Sequence, residues 1–463
     1  AERRANGVRI YAGSANRPIE PGIHEYEFVY VTNRQLGYFD EYDELYYNAV
    51  GTGWTFPIDR VSVRVILPFE LAPNELAADT FLGAYGSTRR GPTDWQFDGA
   101  GLLLRSEETL APGQGLTVSL RWPKGRIVEP TAMQRAHWFF EDNGGALVLL
   151  SALILVFGWY AWAWRQVGRD PEKGVIIPRY RPPEGLSAAA CRYVRSMAFG
   201  KEAFTAALIS LAVKRRLTID EEKKKEFILE RLPDPADGVA LSRGERAVLD
   251  KLLPVPGTRI EMDNENHETF QAARSALKKA LKKEYLGRMF HLNRVYLLPA
   301  VLLSIGAAVG ALFLYTSPLV WIAYAVLSLG LHALFLYLMR APTPAGRGVM
   351  DEIEGFRMYL GTAEQDRLDR MRSPELTPEV FEAFLPYAYA LGVENDWCNR
   401  FAREMPRETR DQAGYHPAWY SGNLHGLGAV HHLGSNFSST FTGAIASAST
   451  PPGSCLLYTS PSP

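Results

Sequence analysis

The side chains of this chain that could do chemistry are few, and three histidines lie closest together. His425, His431 and His432 fall in the glycine-rich stretch 422–434. Imidazoles can ligate zinc or copper, but this stretch offers no cysteine or carboxylate to complete a ligand set. We therefore expect no metal ion and no cofactor there.

A second candidate is the acidic-aromatic run from Asp40 to Glu44. Its carboxylates could bind a cation, but the run lacks the glycine-punctuated spacing of a calcium loop. We favour a solvated loop or a sheet edge at this position. Cys398, which follows Trp397, is predicted to be a packed side chain rather than a nucleophile.

No motif of a known reaction accompanies these residues. The sequence contains no HExxH, nucleophile elbow or lysine-containing phosphate loop. Its three cysteines, Cys191, Cys398 and Cys455, are too far apart for a disulfide framework or a zinc ribbon. We predict a protein that is not an enzyme, with no catalytic, cofactor-binding or metal-binding residue and no identifiable small-molecule ligand.

Three long apolar runs must position everything else. They cover residues 144–164, 295–315 and 318–339, and only Thr316 and Ser317 separate the second run from the third. A helix needs roughly 20 apolar residues to cross the hydrocarbon core of a bilayer, so we predict three transmembrane helices, the last two as a hairpin. His332 lies in the third run, and a neutral imidazole bonded to Ser304 or Ser328 would be structural.

The charge distribution predicts an orientation in the bilayer. The formal net charge of the 463 residues is only -1, which argues against a polyanionic partner for the chain as a whole. Basic residues nevertheless crowd the ends of the apolar runs: Arg165, Arg169, Lys173, Arg179, Lys278, Lys279, Lys282, Lys283, Arg288, Arg294, Arg340 and Arg347. The positive-inside rule then predicts a multi-pass protein of the inner cell membrane, with its first segment extracytoplasmic and its C-terminus cytoplasmic.

The segment 1–143 reads as β-structure. Period-two alternation recurs at 26–31, 61–67, 102–104 and 116–122, with turn signals such as Pro21-Gly22 and Pro112-Gly113 between the runs. Several short strands without an intervening helical pattern predict an all-β, sandwich-like exported domain.

The segment 165–294 reads as a winged-helix-like α+β module followed by a basic helix. Helices are expected at 187–197, 202–216 and 242–253, a strand hairpin at 217–229, and a helix over 267–290 that continues into the membrane. A winged helix can place its second helix in a DNA major groove. Here that helix offers only Lys214, Arg215 and Arg216, at its end, so nucleic-acid binding is the less favoured interpretation.

The last part of the chain is predicted in two regions. Residues 340–412 read as cytoplasmic helices broken at Pro374, Pro378 and Pro386, and residues 413–463 as a flexible, polar and glycine-rich tail.

Two stretches of this part resemble a known family. They are Ile353–Leu360, which reads IEGFRMYL, and Phe381–Glu394, which reads FEAFLPYAYALGVE. Both resemble the DUF2207 family of predicted prokaryotic membrane proteins, as do DELYYN at 43–48, YRPP at 180–183 and residues 208–217. The resemblance implies a signal peptide, an exported β-rich domain, a span, a cytoplasmic domain, a membrane hairpin and a polar tail. It implies no reaction, ligand or catalytic residue.

Both ends of the sequence depart from that pattern. Family members usually carry a longer exported domain, so we expect Ala1 to lie inside a truncated domain. Residues 455–463 resemble translated sequencing-adapter read-through, so we expect no structure there and assign Cys455 no chemistry.

Three functions are compatible with these patterns. The favoured one is a non-enzymatic membrane protein that links an exported β-domain to cytoplasmic interaction modules, in an envelope or signalling role. Its expected partners are the lipid bilayer and other proteins. The alternatives are a membrane-tethered winged-helix regulator that binds DNA, and an enzyme or enzyme subunit of an unrecognised reaction.

Overall fold

The structure is a computed structural model that describes residues 2–4, 7–9, 19–98, 101–223, 226–236, 238–314, 316–362, 376–404, 417–421, 427–435 and 437–452. The chain divides into two compact units. One comprises Ala1–Leu147 with Leu314–Ser317, and the other comprises Val148–Phe313 with Pro318–Pro463.

The first unit is rich in antiparallel β-sheet. A short ladder joins β1 (Glu2–Arg4) and β2 (Gly7–Arg9). The strands that follow are β3 (Leu36–Tyr38), β4 (Tyr42–Val50), β5 (Val61–Val65), β6 (Ala77–Gly83), β7 (Trp95–Asp98), β8 (Gly101–Ser106) and β9 (Gly115–Pro123). They form a four-stranded sheet of order β3-β4-β9-β6 and a three-stranded sheet of order β5-β8-β7. Leu102 of β8 packs with Leu120 and Trp122 of β9 in one buried cluster, so the two sheets share apolar core.

Two predictions for this unit differ from the structure. Residues 26–31 form no strand, and Val29 and Val31 are 86% and 96% exposed. Alternation favours a strand only where a neighbouring strand can pair with it and cover one face. The run from Asp40 to Glu44 is neither a solvated loop nor a sheet edge, because Tyr42 begins β4, which lies between β3 and β9.

Three helices are long and apolar enough to cross a membrane: Ala132–Gly168, Arg294–Ala311 and Pro318–Leu338. The first consists of α1 (Ala132–Ala163) and a π-helical turn (Trp164–Gly168), so it begins well before the charge-free run at Gly144. The second and third contain α6 (Leu297–Ala311) and α7 (Pro318–Leu338).

The second unit surrounds a single large core. Its helices and strands before α6 are α2 (Ala188–Ser196), α3 (Lys201–Val213), β10 (Leu217–Lys223), β11 (Glu226–Arg231), α4 (Arg243–Leu252), β12 (Arg259–Glu261), α5 (His267–Tyr285) and β13 (Phe290–His291). After α7 come β14 (Ala341–Pro342), α8 (Pro344–Gly361), α9 (Pro378–Leu391), α10 (Glu394–Glu404), β15 (Tyr420–Ser421), α11 (Leu427–Ser435) and α12 (Phe437–Ala448).

The segments before and after α6 and α7, predicted as separate regions, share that core. Leu208, Phe270 and Phe290 from the first segment are fully buried in the same cluster as Phe356 and Trp397 from the second. The sheet of this unit has the order β12-β11-β10-β15, in which β15 pairs parallel with β10. One apolar core is therefore built from chain on both sides of the α6–α7 hairpin.

Two predicted helix boundaries differ here. The basic helix does not run into the membrane: α5 ends at Tyr285, Gly287 takes a φ of 86°, and β13 pairs with β14. Glycine reaches that backbone conformation without steric cost, which permits the sharp turn. Pro386 does not break its helix, because α9 continues to Leu391 and the burial of Leu385 and Pro386 outweighs the lost backbone hydrogen bond.

The predicted flexible tail over 413–463 is wrong for much of its length. Residues 427–435 and 437–448 form helices, and Phe437, Phe441 and Ile445 are buried in the core. These three side chains recur every four residues and so share one helix face, a pattern that the surrounding serines and glycines obscure. Residues 413–416, 422–426 and 453–463, with Cys455, lie outside the described residues.

Candidate functional site

The single imidazole of the three charge-poor apolar runs joins all three membrane helices. His332 of α7 is 2.6 Å through Nδ1 from the hydroxyl of Tyr160 in α1 and 3.2 Å through Nε2 from the hydroxyl of Ser304 in α6. Tyr324 of α7 donates a further hydrogen bond, 2.8 Å long, to the Ser304 carbonyl. Polar contacts of this kind hold membrane helices together where the alternative partner is hydrocarbon.

This arrangement assigns His332 a structural role. Both ring nitrogens are occupied by hydroxyl groups, as expected of a neutral imidazole. The bond to Ser304 is one of the two predicted, and Tyr160 takes the place of Ser328. Sequence reasoning missed Tyr160 because a tyrosine near the end of an apolar run also fits the aromatic belt of a bilayer. We find no charged side chain bonded to this imidazole among the described residues.

A second polar junction lies where the three membrane helices end. Asn293, just before the turn that opens α6, donates hydrogen bonds to the carbonyl of Val167 at 2.7 Å and to that of Met339 at 3.0 Å. Val167 belongs to the π turn that ends the first membrane helix, and Met339 directly follows α7. One amide therefore joins the ends of the first and third helices to the start of the second. The φ of Asn293 is 48°, a conformation that asparagine tolerates better than most residues.

The predicted histidine cluster is only partly described, and its described part is an ion-pair junction. His432 Nε2 lies 3.2 Å from Glu221 Oε2, to which the Tyr420 hydroxyl also donates a hydrogen bond. Burial, together with Glu221, raises the pKa of Tyr420. These contacts join β15 and α11 to β10, while His425 lies outside the described residues.

Both described cysteines are buried thiols. Cys191 is fully buried and Cys398 is 1% exposed. Burial raises the pKa of each thiol well above its usual value. A thiolate nucleophile requires the opposite shift and an accessible sulfur. The prediction that Cys398 is packed beside Trp397 is confirmed.

The acidic run holds one buried carboxylate. Asp43 is 1% exposed, and Lys124 Nζ lies 3.6 Å from its Oδ1. Glu44 instead accepts a hydrogen bond from Ser119 at 2.5 Å. Within the described ranges, no group of three or more histidine, cysteine, aspartate or glutamate side chains could hold a metal ion.

The helix that would read DNA is not available to do so. All residues of α3 from Ala203 to Ala212 are buried in the unit. Of the basic residues at its end, Lys214 contacts both carboxylate oxygens of Glu245 at 2.8 Å, and Arg216 pairs with Asp234 at 2.7 Å. A buried helix cannot enter a major groove, and paired cations offer little free charge to phosphates.

Comparison with known proteins identifies the family. The model of the DUF2207 C-terminal domain, described as a predicted membrane protein, matches residues 177–401, and that of the DUF2207 N-terminal domain matches residues 2–122. No curated protein and no solved structure matches the chain. The family is one of unknown function, and its description agrees with the three apolar helices and the β-sheet-rich first unit. The chain therefore belongs to the DUF2207 family of predicted membrane proteins.

Proposed function

We propose that this protein is a non-enzymatic connector of the inner cell membrane. In this proposal the β-rich unit is extracytoplasmic, the core-bearing part of the second unit is cytoplasmic, and three membrane helices join them. The observation that carries the proposal is the single core built from chain on both sides of the α6–α7 hairpin. Segments that share one core must lie on the same side of a bilayer.

Charge supports the choice of side. The basic residues that flank the membrane helices, from Arg165 to Lys173 and from Lys278 to Arg294, belong to the segments that share this core. Cytoplasmic loops are those enriched in lysine and arginine. The Asn293 junction joins all three helix ends at this boundary, as a protein that fixes one side of the bilayer against the other would require.

The order of α2, α3 and the β10–β11 hairpin is compatible with a winged-helix-like module. The burial of α3 and the ion pair between Lys214 and Glu245 favour a use in protein packing over DNA recognition. The buried thiols of Cys191 and Cys398 likewise favour a non-enzymatic role.

Exposed apolar side chains in the first unit favour a protein partner. Ile23 is 104% exposed and Val31 is 96% exposed, and both lie in residues 19–34, which the structure describes without a strand. Apolar groups grouped on a surface commonly mark an interaction site. We expect a photo-crosslinking residue at Val29 to capture a discrete partner, and one at Tyr85 to serve as the exposed control. Equal capture at both positions would contradict a partner site.

Single-cysteine labelling in intact cells tests the orientation. Tyr85→Cys, Val175→Cys and Met358→Cys place thiols at side chains that are 96%, 87% and 43% exposed. The background needs only Cys455→Ser, because Cys191 and Cys398 are buried. With a membrane-impermeant maleimide, we expect labelling at position 85 alone.

Permeabilised cells provide the control, since all three thiols should then react. Labelling at position 175 or 358 in intact cells, or protection at position 85, would refute the proposed orientation and with it the connector role.

A further inference from the structure

We propose that the outward face of α5 is a docking surface for anionic phospholipid headgroups. The inward face of this helix carries buried Phe270, Ala273, Leu277, Leu281 and Tyr285. The opposite face carries four exposed lysines: Lys278, Lys279, Lys282 and Lys283. The only acidic residue in the last two turns of α5 is Glu284, which accepts a hydrogen bond from the Tyr285 hydroxyl at 3.0 Å. We find no ion pair for the four lysines within the described ranges.

The end of α5 is fixed close to the membrane boundary. His291 pairs with Ala341, three residues beyond Leu338, where α7 ends. Three extended residues span at most about 10 Å. The hydroxyl of Thr343 also donates a hydrogen bond to the Arg288 carbonyl at 2.8 Å. The last turns of α5 therefore cannot drift away from the level at which the membrane helices end.

The helix dipole and nucleic acid each fit this surface less well than headgroups do. Lysines in the last turn of a helix favour the negative end of its dipole, but that effect fades within one turn and leaves Lys278 and Lys279 unexplained. Nucleic acid would also attract four lysines. Headgroups are favoured because the surface is continuous with helices that already lie in the bilayer.

The expected effect is large because the charges add. A lysine near an anionic bilayer surface favours the bound state about five-fold, so four lysines favour it by up to several hundred-fold at low salt. The attraction falls within about 10 Å at 0.1 M salt, so it requires the short distance that the β13–β14 ladder imposes.

Lysine acylation of the full chain in lipid nanodiscs tests the proposal and does not depend on which side of a cell membrane the surface faces. One preparation contains only phosphatidylcholine, and the other contains 30 mol % phosphatidylglycerol. We expect the reactivity of the four lysines to fall about five-fold or more in the anionic discs and to recover in 1 M salt. Lys201 and Lys251, exposed lysines outside α5, serve as internal references that should not change.

Matched variants separate the surface from bulk charge. Lys282→Gln/Lys283→Gln should weaken the protection of Lys278 and Lys279, whereas Lys201→Gln/Lys251→Gln removes the same charge and should not. Equal reactivity in the two lipid preparations would overturn the proposal. Protection of the four lysines by duplex DNA at physiological salt, without protection by anionic lipid, would overturn it in favour of nucleic acid. The orientation proposed above would stand in either case.

Discussion

Lys214→Met should destabilise the second unit far more than the loss of a surface charge would. Glu245 is 1% exposed, and both of its carboxylate oxygens lie 2.8 Å from Lys214 Nζ. The same carboxylate accepts hydrogen bonds from the Ser210 hydroxyl at 2.5 Å and the Ser242 backbone at 2.7 Å, the latter as part of the capping box of α4. Removing the lysine leaves a buried carboxylate without its cation.

The magnitude follows from that burial. Breaking a buried ion pair on one side costs about 3–5 kcal/mol. If the pair is lost on local opening, amide hydrogens in α4 should exchange about 150- to 5,000-fold faster in the variant. The matched control is Arg259→Ala, which breaks an exposed pair with Glu230 and should cost less than about 1 kcal/mol.

The dependence on pH gives a second signature. Burial alone would raise the pKa of Glu245, but the charge of Lys214 and the hydrogen bonds from Lys214, Ser210 and Ser242 outweigh burial and hold it below its usual value. In the native protein this carboxylate therefore stabilises above its unfolded pKa of about 4.3, and the stabilisation is lost as the pH falls through the lowered value. In Lys214→Met burial dominates and the pKa rises, so the deficit should grow from pH 4 to pH 7.

Hydrogen exchange of the full chain in detergent or nanodiscs measures both effects. Lys214→Met/Glu245→Gln should lose less stability than the single variant, because an amide needs no cation. If Lys214→Met accelerated exchange in α4 less than three-fold, or if the double variant were no better than the single one, the reasoning would be refuted.

Three further outcomes are expected. Gly346→Ala should destabilise the protein, because its added methyl would lie 1.7 Å from the Met289 carbonyl oxygen, whereas Gly348→Ala on the same helix meets nothing and should be neutral or stabilising by up to about 1 kcal/mol in thermal unfolding. His332→Leu should lower helix-bundle stability by about 1–2 kcal/mol, and Ser328→Ala should have little effect in the same assay. Cys191 should resist maleimide until the protein is denatured, and rapid labelling of the native protein would contradict its burial.

The sequence predicts the membrane helices and most helices of the second unit because each signal is local. Charge-free runs and helical periodicity need no knowledge of distant partners. Ser242 and Glu245, at capping-box spacing, correctly mark where α4 begins. The strands over 61–67 and 116–122 likewise alternate within a paired sheet.

The failures share a cause, because each depends on what a segment contacts. Residues 26–31 have a strand pattern but no strand partner, and residues 437–448 have a tail-like composition but a face that the core covers. The polar junctions of Tyr160 and Asn293 were missed for the same reason, since hydroxyl and amide groups carry no periodic signal.

The parallel pairing of β15 with β10 imposes an order on biogenesis. Ile219 pairs with Tyr420, so the strand that covers this sheet edge leaves the ribosome only after both hairpin helices have been synthesised. Until then β10 presents an unpaired edge, which is a site for aggregation. The nascent domain must wait, half-finished, beside the translocon, and a chain stopped before Pro417 should depend on chaperones to remain soluble.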